Sequence, residues 1–200
     1  MIGGTLMGQF EFIECDNIDG LFHIIPRIYS DERGYNYEAY NIKLFADAGL
    51  NMNFVQINQS MSTKGVIRGM HFQKNYQQGK LVRVVTGEVF DVAVDLRENS
   101  KTYGRWFGVY LSAEKKNMLY VPEGFAHGFL VTSDIAEFVY QLTDYYHPED
   151  ESGFPWDDSA IGIDWPITND MEISVSERDK QLPPFNELTV LKPKVVNVVK

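Results

Sequence analysis

From Leu81 to Leu96 the chain reads LVRVVTGEVFDVAVDL, mostly β-branched, aromatic or aliphatic, broken only by Thr86-Gly87-Glu88. Branched and aromatic side chains crowd a helix and pack well on a pleated surface, so this stretch commits the chain to sheet. The glycine-centred break predicts an antiparallel hairpin, with Leu81–Val85 against Val89–Leu96. Side chains alternate across a strand, which puts Lys80, Val82 and Val84 on one face and Asp91, Ala93 and Asp95 on one face of the partner. Charges are thus interleaved with core residues. Just upstream, Arg68-Gly69-Met70-His71 sets a permanent cation beside a titratable imidazole, with a glycine that lets the backbone approach a ligand closely. An Arg, a His and a Lys on adjacent strands suit an anion, or a carbonyl that becomes an enolate. By spacing alone, the same three residues read more readily as surface charges at strand ends.

The rest of the chain continues in the same manner. Short strands are expected at Phe10–Glu14, Phe22–Pro26, Phe54–Ser60, Arg105–Leu111, Asn117–Val121, Phe125–Val131 and Ile135–Leu142. Pro26 lacks an N–H, so its strand suits a sheet edge. His23, among apolar neighbours, reads as a core or edge imidazole with one hydrogen bond. Phe54, Gln56, Asn58 and Ser60 share a face that is either solvated or lines a cavity. The helical pattern lies at 41–49, with Asn41 as N-cap and Gly49 as stop. Many short strands with little helix predict an all-β sandwich or barrel, and a jelly roll fits best. A single domain is expected over residues 1–200, with its core at about 8–184, a short leader before Met7, and a tail at 185–200 whose Val195–Val199 adds an edge strand or pairs between subunits. Residues 149–158 read as an acidic loop.

A formal charge of -10 opposes binding to nucleic acid or an anionic membrane, since both require a positive field. Cys15 is the only cysteine, so no internal disulfide forms, and it reads as packing in a reducing compartment. Without a basic, apolar leader or a long apolar run, a cytoplasmic protein is expected. The four histidines, His23, His71, His127 and His147, are isolated in sequence, unlike the clustered imidazoles of a metal-binding jelly roll. Neither a glycine-rich phosphate loop nor a nucleophile elbow is present. General acid-base chemistry carried by side chains remains.

Segments in a fixed order narrow this further: DERG (31–34), VQINQSMS (55–62), GVIRGMHFQ (65–73), GKLVRVVTGEVFDVAVDLR (79–97), TYGRW (102–106), YVPEGFAHGFLV (120–131), VYQLTDYYHPEDESG (139–153), IDWP (163–166) and SERDKQLPP (176–184). Together they resemble the dTDP-4-dehydrorhamnose 3,5-epimerase family. The resemblance implies a cupin-type jelly roll, a homodimer, no metal or cofactor, and a dTDP-linked 4-keto-6-deoxy sugar as substrate. It makes His71 the general base, Asp179 the carboxylate orienting it, Lys80 the cation beside the 4-keto oxygen, and Tyr140 the acid on the opposite face. Substrate contacts fall to Arg33, Glu38, Gln56, Asn58, Arg68, His127, Tyr146 and Arg178, with Tyr146 stacking near thymine. Tyr37 and Gly79 depart from the more usual phenylalanine and alanine without removing a chemical group. An epimerase acting on one carbon, a non-catalytic nucleotide-sugar-binding cupin, and more distantly a metal-dependent cupin oxygenase are the competing readings.

Overall fold

The computed structural model describes residues 4–188 and Leu191. In chain order the elements are β1 (Thr5–Met7), β2 (Phe10–Glu14), β3 (Phe22–Pro26), β4 (Tyr29–Asp31), β5 (Gly34–Asn36), α1 (Ile42–Asp47), β6 (Gln56–Thr63), β7 (Ile67–Gln73), β8 (Lys80–Thr86), β9 (Glu88–Asp95), β10 (Trp106–Ser112), β11 (Met118–Val121), β12 (Phe125–Val131), β13 (Ile135–Leu142) and β14 (Glu151–Gly153). Seven form one sheet in the order β1-β2-β3-β11-β8-β13-β6, five form a second in the order β10-β9-β12-β7-β14, and β4-β5 is a separate hairpin. All pairings between these strands are antiparallel. The fold is an all-β, cupin-type jelly roll.

Alternation sorts the side chains into layers. Val82, Val84 and Phe138 from the seven-stranded sheet meet Ala93, Phe125 and Phe129 from the five-stranded sheet in the central core. Leu81, one residue out of phase with Val82, faces outward and is covered with Phe10 and Phe12 by Phe45 of α1. Val92 and Val94 face out of the other sheet, beneath Phe154, Trp165, Phe185 and Leu191. The β9 strand is therefore covered on both faces, which accounts for its near-continuous apolar reading. Asn41 caps α1 by accepting from the N–H groups of Lys43 and Leu44, and Gly49 follows with φ 87°.

The expected 81–96 hairpin does not form. Although consecutive, β8 pairs with β11 and β13 while β9 pairs with β10 and β12, so Gly87 is a corner where the chain crosses from one sheet to the other. A Cβ at Gly87, whose φ is 74°, would lie 2.0 Å from the Ile135 carbonyl oxygen at the parallel crossing from β12 to β13. Only glycine fits that corner.

Other expectations are corrected locally. β3 lies inside its sheet, between β2 and β11. Pro26 is tolerated because β11 pairs only with Phe22, His23 and Ile24 and stops short of it. Thr5–Met7 is a strand on β2 rather than a loose leader, and Glu151–Gly153 in the acidic stretch pairs with β7. Phe185 and Leu191 pack in the outer cluster, so the 185–200 segment contributes to the core, whereas Val195–Val199 lies outside the described residues. His23 does bond once, to Asn117 at 2.9 Å. Among the described residues no helix is long and apolar enough to cross a membrane.

Candidate active site

Between the two sheets lies a cavity of about 480 Å³. The five-stranded sheet contributes Arg68 and His71 from β7 and His127 from β12; the seven-stranded sheet contributes Lys80 from β8, Tyr140 from β13, and Asn58 and Ser60 from β6. The 54–60 polar face thus belongs to a cavity, except that Gln56 stands behind the lining, donating to Asn58 Oδ1 at 3.0 Å and accepting from the Tyr146 backbone N–H. Arg68, His71 and Lys80 are on facing strands, not adjacent ones, because β7 and β8 belong to different sheets.

His71 and His127 are direct cross-strand partners, so two histidines far apart in sequence become neighbours. Gly69 makes that pairing compatible with close strands: a Cβ there would fall 2.5 Å from the Gly128 Cα. The close approach expected of Gly69 is therefore to the β12 backbone. A register shift follows between His127 and Phe129.

The two imidazoles have different carboxylate partners. His71 Nε2 is 2.7 Å from Asp179 Oδ1, bringing together residues 108 apart in sequence. Burial pushes the Asp179 carboxyl up, but hydrogen bonds from His71, Ser176 and the Gly69 backbone win and hold it below the usual carboxylate range. With Nε2 donating to Asp179, Nδ1 of His71 is the lone pair left facing the cavity, with Glu151 Oε1 4.0 Å away. His127 Nε2 is shared between both oxygens of Asp91, at 2.9 and 3.0 Å.

Lys80 is half-buried and borders the cavity, so it is poorly hydrated but within reach of a ligand. Desolvation lowers its pKa to about 8 against the opposing pull of Glu151 and Asp91. At the mouth, Arg178 forms an ion pair with Glu151 and donates to the Tyr146 hydroxyl, which itself donates to Glu151 at 2.7 Å. Arg68 Nε donates to Ser62 Oγ at 3.0 Å.

Of the sequence-derived site residues, His71, Asp179, Lys80, Tyr140, Asn58, Arg68, His127, Tyr146 and Arg178 all line this cavity. Arg33 and Glu38 do not. Arg33 sits on the exposed β4-β5 hairpin in an ion pair with Asp31, and Glu38 accepts from Asn41. Two residues carried no assigned role in the sequence reading. Glu151 sat in a stretch read as loop, and Asp91 was visible only as a charge inside a core strand. Among the described residues no group of three or more His, Cys, Asp or Glu side chains is placed to hold a metal ion. His147 stacks on Tyr76 instead, with centroids 3.8 Å apart.

The dTDP-4-dehydrorhamnose 3,5-epimerase family model matches residues 16–187. The chain is 52% identical over 181 residues to the dTDP-4-dehydrorhamnose 3,5-epimerase of Methanothermobacter thermautotrophicus, covering 90% of this chain and 97% of that one. It is 50% identical over 177 residues to the enzyme of the same name from Escherichia coli, covering 88% and 95%. The crystal structure of dTDP-6-deoxy-D-glucose-3,5-epimerase from Legionella pneumophila, in complex with dTDP-4-keto-L-rhamnose, is similar with a TM-score of 0.87 and 44% identity, over 92% of this chain and 99% of that one. With the match running through both sheets and on to the turn that carries Asp179, the chain belongs to the dTDP-4-dehydrorhamnose 3,5-epimerase family.

Proposed function

We propose that the protein epimerises dTDP-4-dehydro-6-deoxy-D-glucose at carbons 3 and 5 to give dTDP-4-dehydro-L-rhamnose. The observation that carries this reading is the opposition of His71, backed by Asp179, on one wall of the cavity to Tyr140 and Lys80 on the other. The protons on carbons 3 and 5 are acidic because the 4-ketone can take up the electron pair. His71 Nδ1 removes the proton, the pair moves into the carbonyl, and the enolate oxygen accepts from the Lys80 ammonium. Tyr140 then gives its hydroxyl proton to the same carbon from the opposite face, inverting it. Solvent reprotonates the phenolate and takes the proton from His71. One cation serves both carbons, and an acid or base in place contributes roughly 10²- to 10⁴-fold.

The rest of the substrate is accommodated by family likeness together with the polarity of the lining. Arg68 and Arg178 supply cations for the diphosphate, Asn58 supplies polar contacts, and Tyr146 is a half-exposed ring at the mouth suited to stacking on thymine. Proton NMR of the 4-keto sugar nucleotide in deuterated water tests the reading. Exchange and inversion at both carbons are expected. Exchange at one carbon makes the protein a single-carbon epimerase, and binding without exchange makes it a nucleotide-sugar-binding cupin.

The same reading includes a homodimer. β6 is a sheet edge whose outward Ile57 and Met61 are 65% and 59% exposed, an arrangement that pairing with a second copy would protect. The exposed segment carrying Arg33 and Glu38 is then available to the neighbouring cavity. Light scattering at micromolar concentration should give twice the chain mass; a monomer mass removes this part of the proposal.

A further inference from the structure

Asp91 is fully buried on β9, a strand hydrogen-bonded on both sides, and its side chain points inward beside Ala93. Its two oxygens share one donor, Nε2 of His127, although a carboxylate has about four acceptor positions. Burial holds the carboxyl above the usual carboxylate range, against the downward pull of His127 and Lys80. Lys80 is the complementary case. Among the described residues its ammonium has no hydrogen bond and no carboxylate oxygen within 4.0 Å, yet it feels the negative charge of both Glu151 and Asp91. A carboxylate in direct contact would hold the ammonium charged but occupy its donors. One set slightly further away, in a poorly hydrated interior, favours the charge and leaves the donors for a ligand.

We propose that Asp91 is a positioning residue for the epimerisation: from behind the cavity wall it fixes His127 through Nε2 and keeps the Lys80 ammonium charged and free to donate to the substrate's carbonyl oxygen. This rests on the reaction proposed above and assigns it a residue that does not line the cavity. The charged or titratable groups that share the cavity with Lys80 are Arg68 and His71 on β7, His127 on β12, Tyr140 on β13, Glu151 on β14, and Tyr146, Arg178 and Asp179, with Asp91 behind the wall. Asp91→Asn changes one of them and keeps the shape. Removing a negative charge disfavours the ammonium, so Lys80 loses its proton at lower pH than in the wild type.

Two readouts separate this inference from the reaction on which it rests. In ligand-free protein, the Lys80 titration followed by NMR of ¹³C-labelled lysine should move to lower pH in Asp91→Asn. In turnover, kcat on the alkaline side should fall roughly tenfold while the acid side changes less than about twofold, with KM little altered. An unmoved Lys80 titration, or a loss of kcat equal at every pH, overturns the assignment, since a purely structural role predicts the latter. If Asp91→Asn does not fold, ¹³C-carboxyl NMR of the wild type decides: an Asp91 found protonated at neutral pH cannot hold a cation and overturns the assignment, whereas an ionised one supports it. A wild type that never exchanges deuterium at carbon 3 or 5 defeats the proposed reaction, and the Lys80 titration still judges Asp91.

Discussion

Two histidine-carboxylate pairs stand side by side at this cavity, their imidazoles on neighbouring strands, and they differ in how the carboxylate is held. In His71–Asp179 the imidazole side chain is 26% exposed and the carboxylate 6%, and the carboxylate also accepts from Ser176 and Gly69. In His127–Asp91 the corresponding values are 8% and 0%, and the imidazole is the carboxylate's sole hydrogen-bond donor among the described residues. The first pair anchors its carboxylate elsewhere and leaves a ring nitrogen facing the cavity, as a group that exchanges protons with a ligand requires. The second is a fully buried carboxyl with a single donor, fixed in place and closed to solvent. The same two residue types therefore serve differently according to how the carboxylate is satisfied and how far the ring is open.

The sharpest way to break this contrast is through His71. His71→Ala should abolish both deuterium exchange and product, a loss of at least roughly 10²- to 10⁴-fold in turnover read by NMR and by product assay. Near-wild-type exchange at carbon 5 in a folded variant would sink the base assignment. His127→Ala tests the other side. It strands Asp91 without its donor in the interior, and it should destabilise the fold by about 3–5 kcal/mol in denaturant unfolding. A loss under about 1 kcal/mol would show that Asp91 is not held as a buried charge. The smallest expected effect is on the stability of His71→Ala itself. Asp179 keeps two other donors there, so unfolding should shift by only about 1 kcal/mol. If the two alanine variants lost equal stability, the distinction between the pairs would collapse.

Much of this was legible in the residues. Alternation announced the strands, the polar face of β6 announced a cavity as one of two readings, and Asn41 with Gly49 bracketed the helix. The ordered segments carried the family, and with it most of the residues that line the cavity. What failed was pairing. The 81–96 stretch has every local mark of a hairpin, and neighbouring strands usually do pair, but Gly87 turns the chain between sheets, where the hydrogen-bonding sides of β8 and β9 are already taken by other strands. Glu151 went unnoticed because its role depends on Arg178 and Tyr146, which reach it only at the cavity mouth.

Asp91 and Asp95 mark the boundary between the two kinds of information. Strand periodicity put both on one face of β9, and nothing local to either separates them. The fold sends Asp91 to His127 and into the field of Lys80, while Asp95 accepts from Arg97, Ser100 and Thr102 and pins a loop. The sequence by itself determined the sheet, the two-residue alternation and the chemical groups available, because these depend on each residue's shape and its nearest neighbours. Which sheet each strand joins, and so which carboxylate meets which imidazole, was decided only by tertiary packing, because those contacts join residues 36 and 108 positions apart across strands whose partners no local pattern specifies.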